Sequence, residues 1–200
     1  SIDNNVLSKF VEKISSFNKS KLKTVEYISK SRTPYLPYSC IILDEIMKVS
    51  NPKKIICSIS GLREGSLSID HFKDVKESEI FYKAIEKVAQ KRGDLGSNYK
   101  KYYDFIHPVF EGNEHFNKKL LYLACVLSHM DWGLGAFQKA ELVFQETINT
   151  PLLRLTHKER IQLALSCYWR YCSIKYNPKM DYLTFLNNNE IFSSKQVGAA

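Results

Sequence analysis

The chain has 200 residues, 44% of them hydrophobic, which is enough for one domain or two small ones with a packed core. Lys and Arg total 29 against 21 Asp and Glu, a formal charge of +8, so polyanionic partners are favoured over cationic ones. No apolar run is long enough to cross a bilayer, no signal-peptide pattern opens the chain, and the odd set Cys40, Cys57, Cys125, Cys167 and Cys172 makes no CxxC pair. Free thiols in a reducing cytoplasm explain these cysteines better than disulfides or a zinc site.

Only six of the 29 cations are Arg, the bidentate phosphate binder, and residues 1–60 hold ten basic against five acidic side chains. The charge surplus therefore sits in the first third of the chain. The start at Ser1-Ile2-Asp3, without Met, reads as an excised piece of a longer protein or a processed product.

Val6, Leu7, Phe10, Val11 and Ile14 recur at helical spacing and predict a helix over 4–16. A second short helix is expected over 21–29. Arg32 to Tyr38 reads as a loop, because Pro34 and Pro37 interrupt regular helix. A helix over 39–49 follows, with Ile42, Ile46 and Val49 on one side, and Asn51-Pro52 ends it. The β-branched run of residues 54–59 predicts a buried strand. A lone strand cannot satisfy its own backbone groups, so its sheet partners must come from elsewhere.

That strand leads into Gly61-Leu62-Arg63-Glu64-Gly65, expected to be a sharp turn because neither glycine carries a Cβ. A fixed cation on such a turn can contact an anionic ligand. Equally, Arg63 and Glu64 can form a salt bridge that closes the turn.

From residue 78 every periodic segment is helical. Helices are expected over 78–92, 97–110, 114–130 and 136–148, the third apolar on all sides and so central to a bundle. Thr156 and Glu159 have capping-box spacing and open a helix expected to reach about residue 174. One more short helix is expected over 180–186, before the polar Asn187-Asn188-Asn189 stretch.

The order of these features resembles the exopolyphosphatase and guanosine pentaphosphate phosphohydrolase (Ppx/GppA) family of bacteria, in its α-proteobacterial form. The matching residues are Ser31-Arg32, Leu36-Pro37-Tyr38, Ile42-Leu43, and Ser58-x-x-Gly61-Leu62-Arg63-Glu64-Gly65-x-Leu67. They continue through Leu123 to Ser128, Trp132, His157-x-Glu159-Arg160-x-x-Leu163-Ala164-Leu165 and Arg170-Tyr171.

The resemblance implies a mainly α chain: the C-terminal piece of an actin-like (ribonuclease-H-like) α/β domain, followed by an HD-like helical domain. Residues 1–72 would end the second core domain and 76–190 would form the helical domain. Residues 191–200 would begin a further segment or be a disordered tail. The parent protein would remove terminal phosphate from inorganic polyphosphate or pppGpp in the cytoplasm, using Mg²⁺ held mostly by residues outside this chain.

No catalytic residue is expected within the chain itself. Arg32, Arg63, Gly61 and Gly65 are the phosphate-binding candidates, with Glu64 orienting Arg63 or tying the last core strand to the helical domain. A homodimer is possible; membrane and nucleic acid are not expected as partners, since most aromatics fall at core-facing spacings.

A metal site of the HD type is disfavoured at the sequence level. Ser128 and His129 occupy the positions of the His-Asp pair, and His129 and Asp131 fall on different helix faces. His107, His115 and His157 remain as scattered alternatives. The other class of function left open is a non-catalytic regulatory or ligand-binding module on a degenerate HD-like domain.

Overall fold

The computed structural model describes residues 3–26, 28–53, 55–56, 58, 61–63, 65–66, 77–91, 98–112, 117–129, 133–150, 152, 155–176, 178 and 181–200. The described residues are mostly helical and divide into two compact units, Ser1–Ile59 and Ser60–Ala200. Among the described residues no helix is long and apolar enough to cross a membrane.

The first unit is built on α1 (Asn4–Ser15), the single turn α2 (Lys19–Leu22), a 3₁₀ turn (Thr33–Tyr35) and α3 (Leu36–Ser50). Asp3 caps α1 by accepting a hydrogen bond from the Asn5 amide at 2.8 Å. Leu7, Val11 and Ile14 are buried, at the spacing of one helix face, while Val6 and Phe10 remain exposed. These three, with Leu22, Cys40 and Met47, form a small core against which Phe17, Val25, Leu36, Leu43 and Ile55 pack.

Beyond α2, which ends at Leu22 short of the helix expected over 21–29, two readings of the path into and along α3 change. The loop over 32–38 is instead a 3₁₀ turn running directly into α3, with Pro37 inside the first turn of the helix. A first-turn residue has no intrahelical acceptor for its N–H, so proline costs nothing there. The second concerns the apolar stripe of α3, which is not its covered side. Cys40 and Met47 are buried, whereas Ile42, Ile46 and Val49 are exposed. Asn51 then ends the helix in the left-handed region at φ 41°, its amide donating to the Met47 carbonyl at 2.8 Å. Asn tolerates that conformation better than other residues with a Cβ.

The expected buried strand is not seen among the described residues. Ile55 makes an isolated β-bridge and Ile56 is exposed, while residues 54, 57 and 59 lie outside the described set.

The second unit contains α4 (Glu77–Lys91), α5 (Tyr99–Ile106) with a 3₁₀ turn at His107–Phe110, α6 (Lys118–Leu127), α7 (Ala136–Asn149), α8 (His157–Trp169), a 3₁₀ helix at Asp181–Phe185, and α9 (Asn188–Ala199). Leu120, Leu121 and Leu123–Leu127 of α6 are all buried, as expected for a central helix. Helix α8 is its counterpart, with every residue from Ile161 to Trp169 buried except Gln162. It packs most heavily against α7 and α9 and also meets α6.

The capping box at the start of α8 is formed in full: the Glu159 amide donates to Thr156 Oγ1 at 3.1 Å, and the Thr156 amide to Glu159 Oε2 at 2.8 Å. The helix ends at Trp169, earlier than the periodicity suggests, because residues 170–172 turn to let Trp169 Nε1 donate to the Tyr176 carbonyl at 3.0 Å.

Residues 188–199 form one continuous helix within this unit. Asn187 and Glu190 repeat the capping exchange at 2.9 and 2.8 Å. Near the end of α9, a Cβ on Gly198 would stand 2.6 Å from the Ser166 carbonyl oxygen and 2.8 Å from Trp169 Cβ. Only a residue without a side chain lets the two backbones approach this closely.

Candidate functional site

The site with the clearest chemistry lies in the first unit, where the chain enters α3. Ser29 organises it. Its carbonyl accepts hydrogen bonds from the Arg32 amide at 2.9 Å, the Thr33 amide at 3.1 Å and Thr33 Oγ1 at 3.1 Å. Thr33 is thereby buried, and Arg32 is held at the N-cap of the 3₁₀ turn with its side chain exposed. The Arg32 carbonyl in turn accepts from the Tyr35 amide at 3.0 Å.

Around this turn lies a groove of about 710 Å³, lined by Ile28, Ser29, Ser31, Arg32, Tyr35, Leu36 and Ser39. Its lining combines one guanidinium, three serine hydroxyls and a tyrosine, and it holds no carboxylate. Ser29 Oγ and Ser31 Oγ sit 3.2 Å apart, and Ser39 Oγ donates to the Tyr35 carbonyl at 3.2 Å. Leu36 and Ser39 belong to the first turn of a 15-residue helix, whose dipole adds partial positive charge. A fixed cation, small hydroxyl donors and a helix N-terminus are the groups that hold phosphate oxygens. Among the described lining residues no carboxylate or imidazole stands beside a hydroxyl.

Arg63, Gly61 and Gly65 belong to the other compact unit. The glycine stretch is not a sharp turn. The Gly65 amide donates to the Gly61 carbonyl at 3.1 Å, an i to i−4 bond that closes a helical turn, and a Cβ on Gly65 would meet nothing within 4 Å. Arg63 is exposed on this turn beside the almost fully exposed Leu62. Glu64, the orienting candidate, lies outside the described residues.

The histidines are dispersed. His107 Nδ1 lies 3.7 Å from Glu111 Oε1 and stacks on Tyr103, His129 stacks on Tyr102, and His157 opens α8 on the surface. His115 and Asp131 lie outside the described residues. Among the described residues no three His, Cys, Asp or Glu side chains come together to hold a metal ion. The Ser128 carbonyl accepts a hydrogen bond from Tyr171 Oη, tying the end of α6 to the end of α8.

The buried thiol Cys125 is pushed up to about 11 by burial, against the opposing charge of Arg170, so it stays protonated and unreactive at neutral pH. Burial likewise raises the Tyr168 phenol to about 12, assisted by its hydrogen bond with Cys172.

Sequence reasoning did not single out two features. The serines of the Arg32 groove are ordinary residues until the Ser29 carbonyl gathers the loop. Arg160 is buried in α8, its Nε has no hydrogen-bond partner among the described residues, and burial pulls its pKa down. In the sequence it figures only within the resemblance run His157-x-Glu159-Arg160, with no role assigned to it. Comparison with family models and with curated proteins finds no match for the chain.

Proposed function

We propose that this chain is the C-terminal portion of an exopolyphosphatase-type phosphohydrolase, one that removes terminal phosphate from inorganic polyphosphate or pppGpp. In this reading residues 1–72 complete an actin-like core domain, and the helices that follow form an HD-like domain. The chain's own part is polyanion binding and domain or dimer contact. The observation that carries the proposal is the Arg32 groove, which offers a cation, hydroxyls and a helix N-terminus without an acid among its lining residues.

Arg32 would bind two phosphate oxygens through its planar fork, and one hydroxyl of the Ser29–Ser31 pair would donate to a further oxygen, the Ser39 proton being given to the Tyr35 carbonyl. A phosphate chain offers this charge repeatedly, so the lysine surplus of the first sixty residues would extend its path. Arg63, with Gly61 and Gly65, would be a separate phosphate contact within the other unit, and Glu64 would orient it.

The parent reaction uses Mg²⁺. The described residues assemble no donor set for it, so no chemical step is assigned to them. That same chemistry favours a second reading from a different class: a cytoplasmic ligand-binding or regulatory module with a degenerate HD-like domain, which holds the anion and does not hydrolyse it.

The test is titration of the chain with long-chain polyphosphate and with pppGpp, alongside phosphate-release assays on the parent protein with and without Mg²⁺. Binding that weakens about tenfold in Arg32→Ala, and less in Arg32→Lys, supports the groove as the anion site. Release by the parent supports the hydrolase, whereas binding without release selects the module. Affinity unchanged by Arg32→Ala sinks the groove under either reading.

A further inference from the structure

Two buried side chains on the packed helices α7 and α8 carry hydrogen-bond donors with no acceptor among the described residues. Arg160 is 9% exposed and its Nε lacks a partner; Thr147 has no exposed surface and its Oγ1 lacks one too. Burial alone acts on the Arg160 guanidinium, pulling its pKa down. A buried cation is ordinarily paired, because desolvating an uncompensated charge is costly.

The two residues share one level of the helical hairpin that α7 and α8 form across residues 150–156. Val143 lies one helical turn before Thr147 and belongs to the same buried cluster as Leu163, one turn after Arg160. On antiparallel helices these steps run in opposite directions, so Thr147 and Arg160 come level with each other.

The local partners that would satisfy them are not engaged. Glu159, next in sequence, accepts from the Thr156 amide on Oε2 at 2.8 Å and from Asn117 Nδ2 on Oε1 at 3.4 Å. A threonine in a helix commonly donates to the carbonyl four residues back, as Thr150 Oγ1 does to Glu146 at 2.6 Å. Thr147 does not.

A guanidinium N–H and a hydroxyl together call for a partner that accepts and carries negative charge. A neutral carbonyl ligand would leave the charge uncompensated, and a metal cation would be repelled. An oxyanion supplies both charge and several acceptor oxygens. It must be small, because Arg160 is nine-tenths covered and Thr147 wholly so.

We propose that Arg160 and Thr147 form a binding site for a small tetrahedral oxyanion of the phosphate class between α7 and α8. The site lies within the second unit, is separate from the Arg32 groove, and does not depend on the phosphohydrolase reading.

Inorganic phosphate is the probe, and the 200-residue chain carrying Arg32→Ala is the background, so that the groove contributes nothing. At constant ionic strength held with sodium gluconate, phosphate at a hundredfold excess over its Kd should raise Tm by roughly 5 °C. Arg160→Met keeps most of the stem and removes the charge. Without phosphate it should be at least as stable as the background, and with phosphate it should gain less than about a fifth of the shift. A purely structural arginine would not give that reversal of order.

Thr147→Val is nearly isosteric and should fold as before, yet bind phosphate about tenfold more weakly, read from broadening of the phosphate phosphorus NMR line. The proposal is overturned if phosphate leaves Tm of the background unchanged, or if Arg160→Met gains the full shift. It is equally overturned if Thr147→Val binds phosphate with unchanged affinity, and that measurement decides alone should Arg160→Met fail to fold.

Discussion

The two compact units spend their apolar residues differently. In the second, α6 and α8 are buried nearly all round, and every large side chain with almost no exposure belongs to this unit except Ile14. In the first, six buried side chains form the core, and the longest helix turns an aliphatic stripe outward. The second unit therefore covers its two central helices among its own residues, although Phe105, Phe137 and Phe192 on its other helices stay exposed. The first unit resembles one layer of a structure whose next layer is not among its own residues. The first unit carries both the Arg32 groove and the exposed stripe of α3.

The largest expected effect lies in the centre of the helical unit. Leu163 has no exposed surface and sits in the main core with α6. Leu163→Ala should cost about 2–5 kcal/mol, because transfer energy is lost and a cavity remains. Chemical denaturation followed by circular dichroism measures it. A cost below about 1 kcal/mol would mean that this core is not as tightly packed as the comparison requires.

Gly198→Ala should follow, at about 1–3 kcal/mol, because the new methyl must push α9 away from the Ser166 carbonyl and Trp169. The sign is informative, since alanine in place of glycine normally favours a helix by roughly 1 kcal/mol. A stabilised variant would show that α9 does not pack this closely on α8. Smaller again is Thr156→Ala, about 1 kcal/mol through loss of the α8 cap, with Thr156→Asp retaining most of the stability.

How far these features were legible in the sequence depends on how local their causes are. The α8 cap could be read directly, since Thr156 and Glu159 need only three residues of spacing. The same exchange at Asn187 and Glu190 was hidden in a run of three asparagines that looks like a breaker, and α9 has little apolar periodicity to outweigh it. Pro37 was misleading in the opposite direction, because a proline marks a helix start as well as a helix end. For α3, the spacing of Ile42, Ile46 and Val49 identifies an apolar stripe. Periodicity cannot say which of two apolar sides is covered, and here Cys40 and Met47 are.

The glycine stretch shows the same limit. Gly61 and Gly65 allow a tight turn but do not require one, and four-residue spacing equally suits the helical bond they make. Arg32 could be picked out by its residue type and its position before a helix. The groove around it depends on a web of hydrogen bonds to one carbonyl, which no spacing rule announces.

The smallest predicted effect tests the outer face of α3. Ile46→Ser removes an aliphatic side chain that is already more than half in water. Measured at a dilution where the chain is monomeric, it should change unfolding free energy by no more than about 0.5 kcal/mol, as for most surface substitutions. Met47→Ala, one residue away and buried, should cost about 2–5 kcal/mol under the same conditions. Adjacent residues of similar size would then differ severalfold purely by the side of the helix they occupy. If Ile46→Ser proved as costly as Met47→Ala, the stripe would already be covered within one chain. The contrast between a self-contained helical unit and an open first unit would then collapse.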